Sequence, residues 1–151
     1  NLNYCTIANY WNLSPGMSAL GIYVRNTWEN EDGDLESGLV DLTVNNSIIY
    51  GDIPDMISLS NNSNGTPIKY NFNYSLLKFT SNANFTLNSS NSTGIIQNED
   101  PKFQNYFTQK MNLRVKADSK AKSNGKPISG ILRDIVGNLR STTSPTIGAY
   151  E

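Results

Sequence analysis

Three six-residue stretches of the chain share one order of apolar and polar positions. LNYCTI (Leu2–Ile7), VNNSII (Val44–Ile49) and FNYSLL (Phe72–Leu77) each read apolar, asparagine, variable, small Cys or Ser, variable, aliphatic. Aligned without gaps, they give the columns Leu2/Val44/Phe72, Asn3/Asn45/Asn73, Cys5/Ser47/Ser75 and Ile7/Ile49/Leu77. The asparagines lie 42 and then 28 positions apart. Such uneven spacing argues against identical hairpins and favours stacked rungs with loops of different length on one side. Between the repeats, ALGIYVRN (Ala19–Asn26) alternates, with Leu20, Ile22 and Val24 on one face and Tyr23 and Arg25 on the other. GLVDLTV (Gly38–Val44) and DMISLS (Asp55–Ser60) alternate in the same way and predict strands. The connectors NLSPGMS, ENEDGDLESG, NNSNGTP and NSSNSTG are rich in turn formers. No stretch longer than about ten residues keeps a helical period, so the chain is expected to be all-β.

Parallel stacking explains why each column keeps its residue type. Equivalent residues on neighbouring rungs sit about 4.8 Å apart, so a column becomes a continuous ladder. Aliphatic columns fill an interior and small residues fit a tight bend. An asparagine amide donates to one neighbouring rung, accepts from the other and tolerates turn backbone. The expectation is one domain, with stacked rungs over residues 1–99 and a last rung plus cap over residues 100–151.

The C-terminal third carries four ordered motifs: DPKF (Asp100–Phe103) followed by the strand-like NLRV (Asn112–Val115), DSKAKSNG (Asp118–Gly125), DIVGNLR (Asp134–Arg140) and the terminal PTIGAYE (Pro145–Glu151). This order resembles the last coils of right-handed parallel β-helix proteins, a family abundant among secreted and surface proteins of Bacteroidetes-type bacteria. Lys120, Lys122, Leu139 and Thr146 stand where the family usually has Pro, Ile, Pro and Asp, which weakens turn details rather than the order. The resemblance implies a right-handed parallel β-helix whose tail folds over the exposed end of the last rung. An open end would otherwise present apolar interior and unpaired backbone. Gly125, Gly130, Gly137 and Gly148 would supply the turns, Ile147 and Tyr150 the cover, and Arg140 a partner for Asp134 or Glu151. The resemblance also implies export: an extracellular or cell-surface location, with an outer-membrane or lipoprotein anchor carried outside this chain.

Composition narrows the chemistry. Asn, Ser and Thr make up about a third of the 151 residues, and only 17% are charged, with a net charge of −1. No basic face for nucleic acid is expected, and no apolar run is long enough for a transmembrane helix. The chain has no histidine, which removes Ser-His-Asp and Cys-His nucleophile systems. The single Cys5 has no intrachain disulfide partner and reads as a small repeat residue. Eight Asn-x-Ser/Thr sequons begin at Asn12, Asn45, Asn61, Asn64, Asn73, Asn84, Asn88 and Asn91. Asn45 and Asn73 belong to the repeat column, where a glycan would block stacking, so composition explains the sequons better than glycosylation does.

Several candidate sites remain. Glu29, Asp32, Asp34 and Glu36 crowd one acidic loop; the pattern matches no EF-hand, so calcium stands only as a weak candidate beside a solvated turn. Arg25, Asp41, Lys69 and Lys78 are the outward charges from which a polysaccharide lyase or hydrolase would draw its acid and base, though they share no motif. Tyr10, Trp11, Tyr23 and Trp28, with Arg25 nearby, form a candidate platform for stacking sugar rings. No cofactor is implied. The reading is a non-catalytic β-helix scaffold that binds a polysaccharide or a cell-surface protein, the alternative being the end of a β-helix lyase or hydrolase with its active site in upstream rungs. Because Leu2, Cys5 and Ile7 already fit the repeat columns, the N-terminal end is expected to be covered by upstream rungs, a partner chain or a second copy.

Overall fold

The computed structural model describes residues 1–10, 19–61, 67–82, 85–106 and 110–151. Trp11 and the sequon asparagines Asn12, Asn64 and Asn84 lie outside the described residues. Four strands, β1 (Leu2–Asn3), β6 (Asp41–Asn45), β9 (Lys69–Asn73) and β11 (Ser92–Thr93), form one parallel sheet in that order. A second parallel sheet runs β2 (Thr6–Asn9), β7 (Ile48–Gly51), β10 (Leu76–Leu77) and β12 (Ile96–Gln97). A third parallel pair joins β3 (Ile22–Arg25) to β8 (Ile57–Ser60). The hairpin of β4 (Thr27–Glu29) and β5 (Leu35–Ser37) is antiparallel, as is the pair β13 (Phe103–Asn105) and β14 (Asn112–Val115). The chain is therefore all-β, built on parallel sheets of register-aligned strands.

The register follows the columns read from the sequence. Leu2 pairs with Val44, Val44 with Phe72 and Phe72 with Ser92, while Asn3, Asn45, Asn73 and Thr93 align beside them. In the second sheet Ile7, Ile49, Leu77 and Gln97 align, next to Thr6, Ile48, Leu76 and Ile96. Ser92–Gln97 is thus a fourth repeat, hidden in the sequence because Thr93 replaces the asparagine and Ile95 the serine.

Each repeat turns from the first sheet to the second on one residue. Tyr4, Asn46, Tyr74 and Gly94 occupy this corner with φ of 53°, 48°, 47° and 62°. Left-handed backbone is costly for a tyrosine, and the flanking side chains hold it in place. Asn45 Nδ2 donates to Asn3 Oδ1 at 2.9 Å, and Asn73 Nδ2 donates to Asn45 Oδ1 at 3.0 Å. After the corner, the Ser47 and Ser75 hydroxyls donate back to the Asn45 and Asn73 carbonyls, both at 2.8 Å. The same hydroxyls accept from the backbone N–H of Cys5 (3.0 Å) and Ser47 (3.1 Å) in the preceding repeat. The corners at Asn46 and Tyr74 are thereby closed on themselves and tied to the repeat before.

Packing divides at the second sheet. Val44, Ile49, Phe72 and Leu77 share one core with Met56, Ile57, Leu59, Phe79 and Phe85. Phe85 meets the edges of Phe72 and Phe79 at centroid distances of 5.4 and 4.9 Å. On the opposite face, Ile48 and Leu76 pack against Phe103, Ala121 and Ile147 of the C-terminal segment. The two middle strands of the second sheet, β7 and β10, are buried on both faces, which is why they carry the doublets Ile48–Ile49 and Leu76–Leu77 rather than alternation.

That arrangement departs from three expectations. The tail does not fold over the cross-section of the last repeat; it lies along the outer face of the second sheet, reaching the first, second and third repeats at Thr6, Ile48 and Leu76. The apolar outer column needs this cover, whereas the fourth repeat ends in Ser92, Thr93 and Gln97 and has less apolar surface to hide. The NLRV strand pairs antiparallel with β13 instead of adding a parallel rung. Leu20 is 39% exposed and precedes β3, since a side chain at Gly21 would meet Ile49 and Met56, and the inward alternation starts only at Ile22.

The ladder predicts a measurable stability loss. Asn45→Ala removes two carboxamide bonds at about 1 kcal/mol each, so urea denaturation should show roughly 2 kcal/mol lost. Asn71→Ala, at an exposed position of β9, should stay within about 0.5 kcal/mol of the parent. Equal effects at both positions would mean the ladder contributes nothing.

Candidate functional site

A cleft of about 560 Å³ lies beside the first repeat. One wall is the segment Leu2–Ile7; the other is Ile131, Arg133, Asp134, Ile135, Arg140 and Ala149. A smaller hollow of about 220 Å³ lies across Tyr4 and Arg140 from it, against Pro127–Ser129.

The second wall is a tight turn folded around Asp134. Its carboxylate accepts from the N–H groups of Val136 (3.0 Å), Asn138 (2.8 Å) and Glu151 (3.0 Å), and from Asn138 Nδ2 (3.1 Å). Burial opposes the charge, but these donors outweigh it and hold the carboxyl below its ordinary range. Arg133 pairs backbone with Leu139 across the turn, and its guanidinium donates to the Gly137 carbonyl at 2.6 Å. Leu132, Ile135, Val136 and Leu139 are left on the outside, Ile135 at 70% exposure.

Arg140 fastens this turn to the first repeat. Its side chain is 4% exposed, and its guanidinium lies 3.8 Å from the Tyr4 ring centroid. It donates to the carbonyls of Thr146 (3.4 Å), Gly148 (3.1 Å) and Ala149 (3.2 Å), and stands 3.6 Å from the Glu151 carboxylate. Of the two partners named from the sequence, Glu151 is the one it meets. Burial lowers the Arg140 pKa and raises that of Tyr4, each without changing the charge carried near neutral pH. The Arg140 Nε–H has no partner among the described residues. Asn46 supplies a second fastening: its carboxamide donates to the Lys126 carbonyl (2.7 Å) and accepts from the Lys126 N–H (2.8 Å). Gly148, at φ 103°, passes so close to the sheet that a Cβ there would stand 2.7 Å from Thr6 Oγ1.

The other sequence candidates do not gather around this cleft. Tyr10 stacks on Tyr106 at 4.3 Å and meets Tyr50 and Phe103, inside the packing between the second sheet and β13. Burial first, then the Asp100 charge, pushes its hydroxyl pKa well above the ordinary tyrosine value. Tyr23 and Trp28 are 57% and 45% exposed on β3 and β4, with no ring contact to Tyr10. Arg25 lies on β3 in register with Ser60. Asp41 and Lys69 are neighbours on β6 and β9, whereas Lys78 is taken up by the Gly51 carbonyl at 2.6 Å and by the face of Tyr50. Asp41 and Lys69 thus stand side by side, while Arg25 and Lys78 lie elsewhere in the fold.

Glu29, Asp32, Asp34 and Glu36 sit on the β4–β5 hairpin, all exposed. Asn30 organises its tip, accepting from the Asp32 and Asp34 N–H groups and donating to Glu36. Among the described residues no group of three or more acidic, Cys or His side chains converges as a metal site. Sequence reasoning missed the cleft, although the unmatched aliphatics of ILRDIVGNLR were its visible signal. Comparison with known proteins adds nothing to this picture: no family model, curated protein or solved structure matches the chain.

Two outcomes test the turn. Arg140→Met removes the cation facing the Glu151 carboxylate, which keeps the Ser141 and Thr146 N–H groups, and takes the guanidinium from the Thr146 and Gly148 carbonyls; denaturation should show roughly 3 kcal/mol lost. Asp134 titrates below the unfolded value of about 3.9, so its contribution is complete above that pH and disappears as pH falls through the folded pKa. Urea midpoints should hold steady from neutral pH down to about 4 and then drop, with a smaller drop in Asp134→Asn.

Proposed function

We propose that the chain is the C-terminal section of a right-handed parallel β-helix, exported to a bacterial cell surface, where it serves as a non-catalytic scaffold that binds a partner. The observation that carries this reading is the cleft itself. It is walled by an open strand edge and exposed aliphatics, and the one carboxylate in it, Asp134, is fully engaged by four donors. A carboxylate so held is a poor base, and no second acid faces it across the cleft. Polypeptide is the ligand such walls suit, since strand edges recognise backbone. The gap-free columns support the β-helix, and the order of C-terminal motifs supports export.

Exposed Tyr23 and Trp28 favour a second reading, glycan contact on the outer face of β3 and β4. Titration with oligosaccharides should quench Trp28 emission if that reading holds, and Trp28→Ala should abolish the response.

Incubation with uronate-containing and neutral polysaccharides should yield no new reducing ends and no unsaturated uronate absorbance. Cleavage that disappears in Asp41→Asn or Lys69→Ala would replace the scaffold with a lyase or hydrolase.

A further inference from the structure

The first repeat lacks on one side the bonds that the second and third repeats make on both. Among the described residues β1 pairs only with β6, and β2 only with β7, each at the edge of its sheet. Asn45 and Asn73 each donate Nδ2–H to the preceding asparagine, so Asn3 Nδ2–H is the next donor in the series, and it has no acceptor among the described residues. Ile48, Leu76 and Ile96 give their N–H groups to the Cys5, Ser47 and Ser75 carbonyls of the repeat before; Thr6 N–H is the equivalent group on the open side. Tyr4, Asn46 and Tyr74 give N–H to the asparagine-column carbonyl of the repeat after, so the Asn3 carbonyl awaits the same bond; it holds only the Cys5 thiol at 3.6 Å. Leu2 and Ile7 are only partly covered at this edge.

The C-terminal turn completes the case. Ile147 covers the outer column at Ile48 and Leu76. Ile131 and Ile135 stand on the cleft's far wall, opposite the Leu2–Ile7 edge, where they can cover the outer side of one more repeat. Four repeats already stack through the same interface, and the cleft continues it. Resting on the scaffold reading above, we propose that the cleft accepts an extended polypeptide segment of the repeat's own type, adding as a parallel strand pair ahead of β1 and β2. Its side-chain oxygen at the asparagine position accepts from Asn3 Nδ2–H, its corner N–H donates to the Asn3 carbonyl, and its last two aliphatics divide between Ile7 inside and Ile135 outside.

A labelled peptide of sequence DLTVNNSIIYG, copied from Asp41–Gly51, serves as the probe against the intact chain in fluorescence anisotropy. Saturable binding is expected, weakened at least about tenfold, the equivalent of 1.4 kcal/mol, by Asn3→Leu or Ile135→Asp in the chain. Leucine in place of the peptide's fifth residue should weaken it alike, and a scrambled peptide should not bind. Ile135 is solvent-facing, so an unchanged Tm in Ile135→Asp separates lost binding from lost folding. In a second arm the same segment is tethered ahead of Asn1 through a flexible linker, which raises its effective concentration; Tm should rise, and Asn3→Leu should cancel the rise. Scrambled peptide binding equally well overturns the proposal, as does failure of both the free peptide at about 1 mM and the tethered segment. Self-association that the peptide does not suppress, seen by light scattering, also overturns it by assigning the edge to a second copy. Polysaccharide cleavage would refute the scaffold reading while leaving the peptide result intact, so the two can fail separately.

Discussion

A single residue in left-handed backbone turns each repeat from one sheet into the next, and the rest of the structure depends on keeping that corner. Tyr4, Asn46 and Tyr74 adopt it without being glycine. They can because the residue before each corner is an asparagine locked to its neighbours and, at Asn46 and Tyr74, the residue after is a serine folded back on the chain. Corners that coincide from repeat to repeat put strands in register, and register assigns each aliphatic to its face. The tail is anchored at the same place, through Asn46 to Lys126 and through Tyr4 to Arg140.

What could be read from the sequence follows from this. The Asn and Ser columns were visible because backbone demands at the corner leave few residue choices, and the structure pairs Asn3, Asn45 and Asn73 as those columns imply. Thr6, Ile48 and Leu76 were read as variable, because a pattern of apolar residues does not say what covers them; Ile48 and Leu76 form a second buried face, with Thr6 half-buried beside them. For the same reason the tail was expected over the last repeat, when the uncovered aliphatics lay along the side. Tyr10 looked like an exposed platform residue because its neighbours Phe103 and Tyr106 are distant in sequence. The fourth repeat escaped notice because it keeps the corner while losing both the asparagine and the serine.

The cleft and the tail form one arrangement. Asp134 binds the backbone of its own turn and the Glu151 N–H, and Arg140 binds the carbonyls of the last residues, which together fasten the turn to the tail. What remains outward is aliphatic side chain and strand edge, surfaces that recognise shape and backbone.

The asparagine ladder has a direction. All its carboxamides point the same way, Asn73 to Asn45 to Asn3, so their dipoles add head to tail as peptide dipoles do in a helix. The stack ends in a partial positive charge at the first repeat and a partial negative charge at the other end. Its two ends therefore differ electrically even where their shapes are alike. A ladder of this kind has a polarity: like ends cannot be joined through it, and a two-fold dimer across these columns would set donor against donor. Any lengthening must run head to tail, in one sense only.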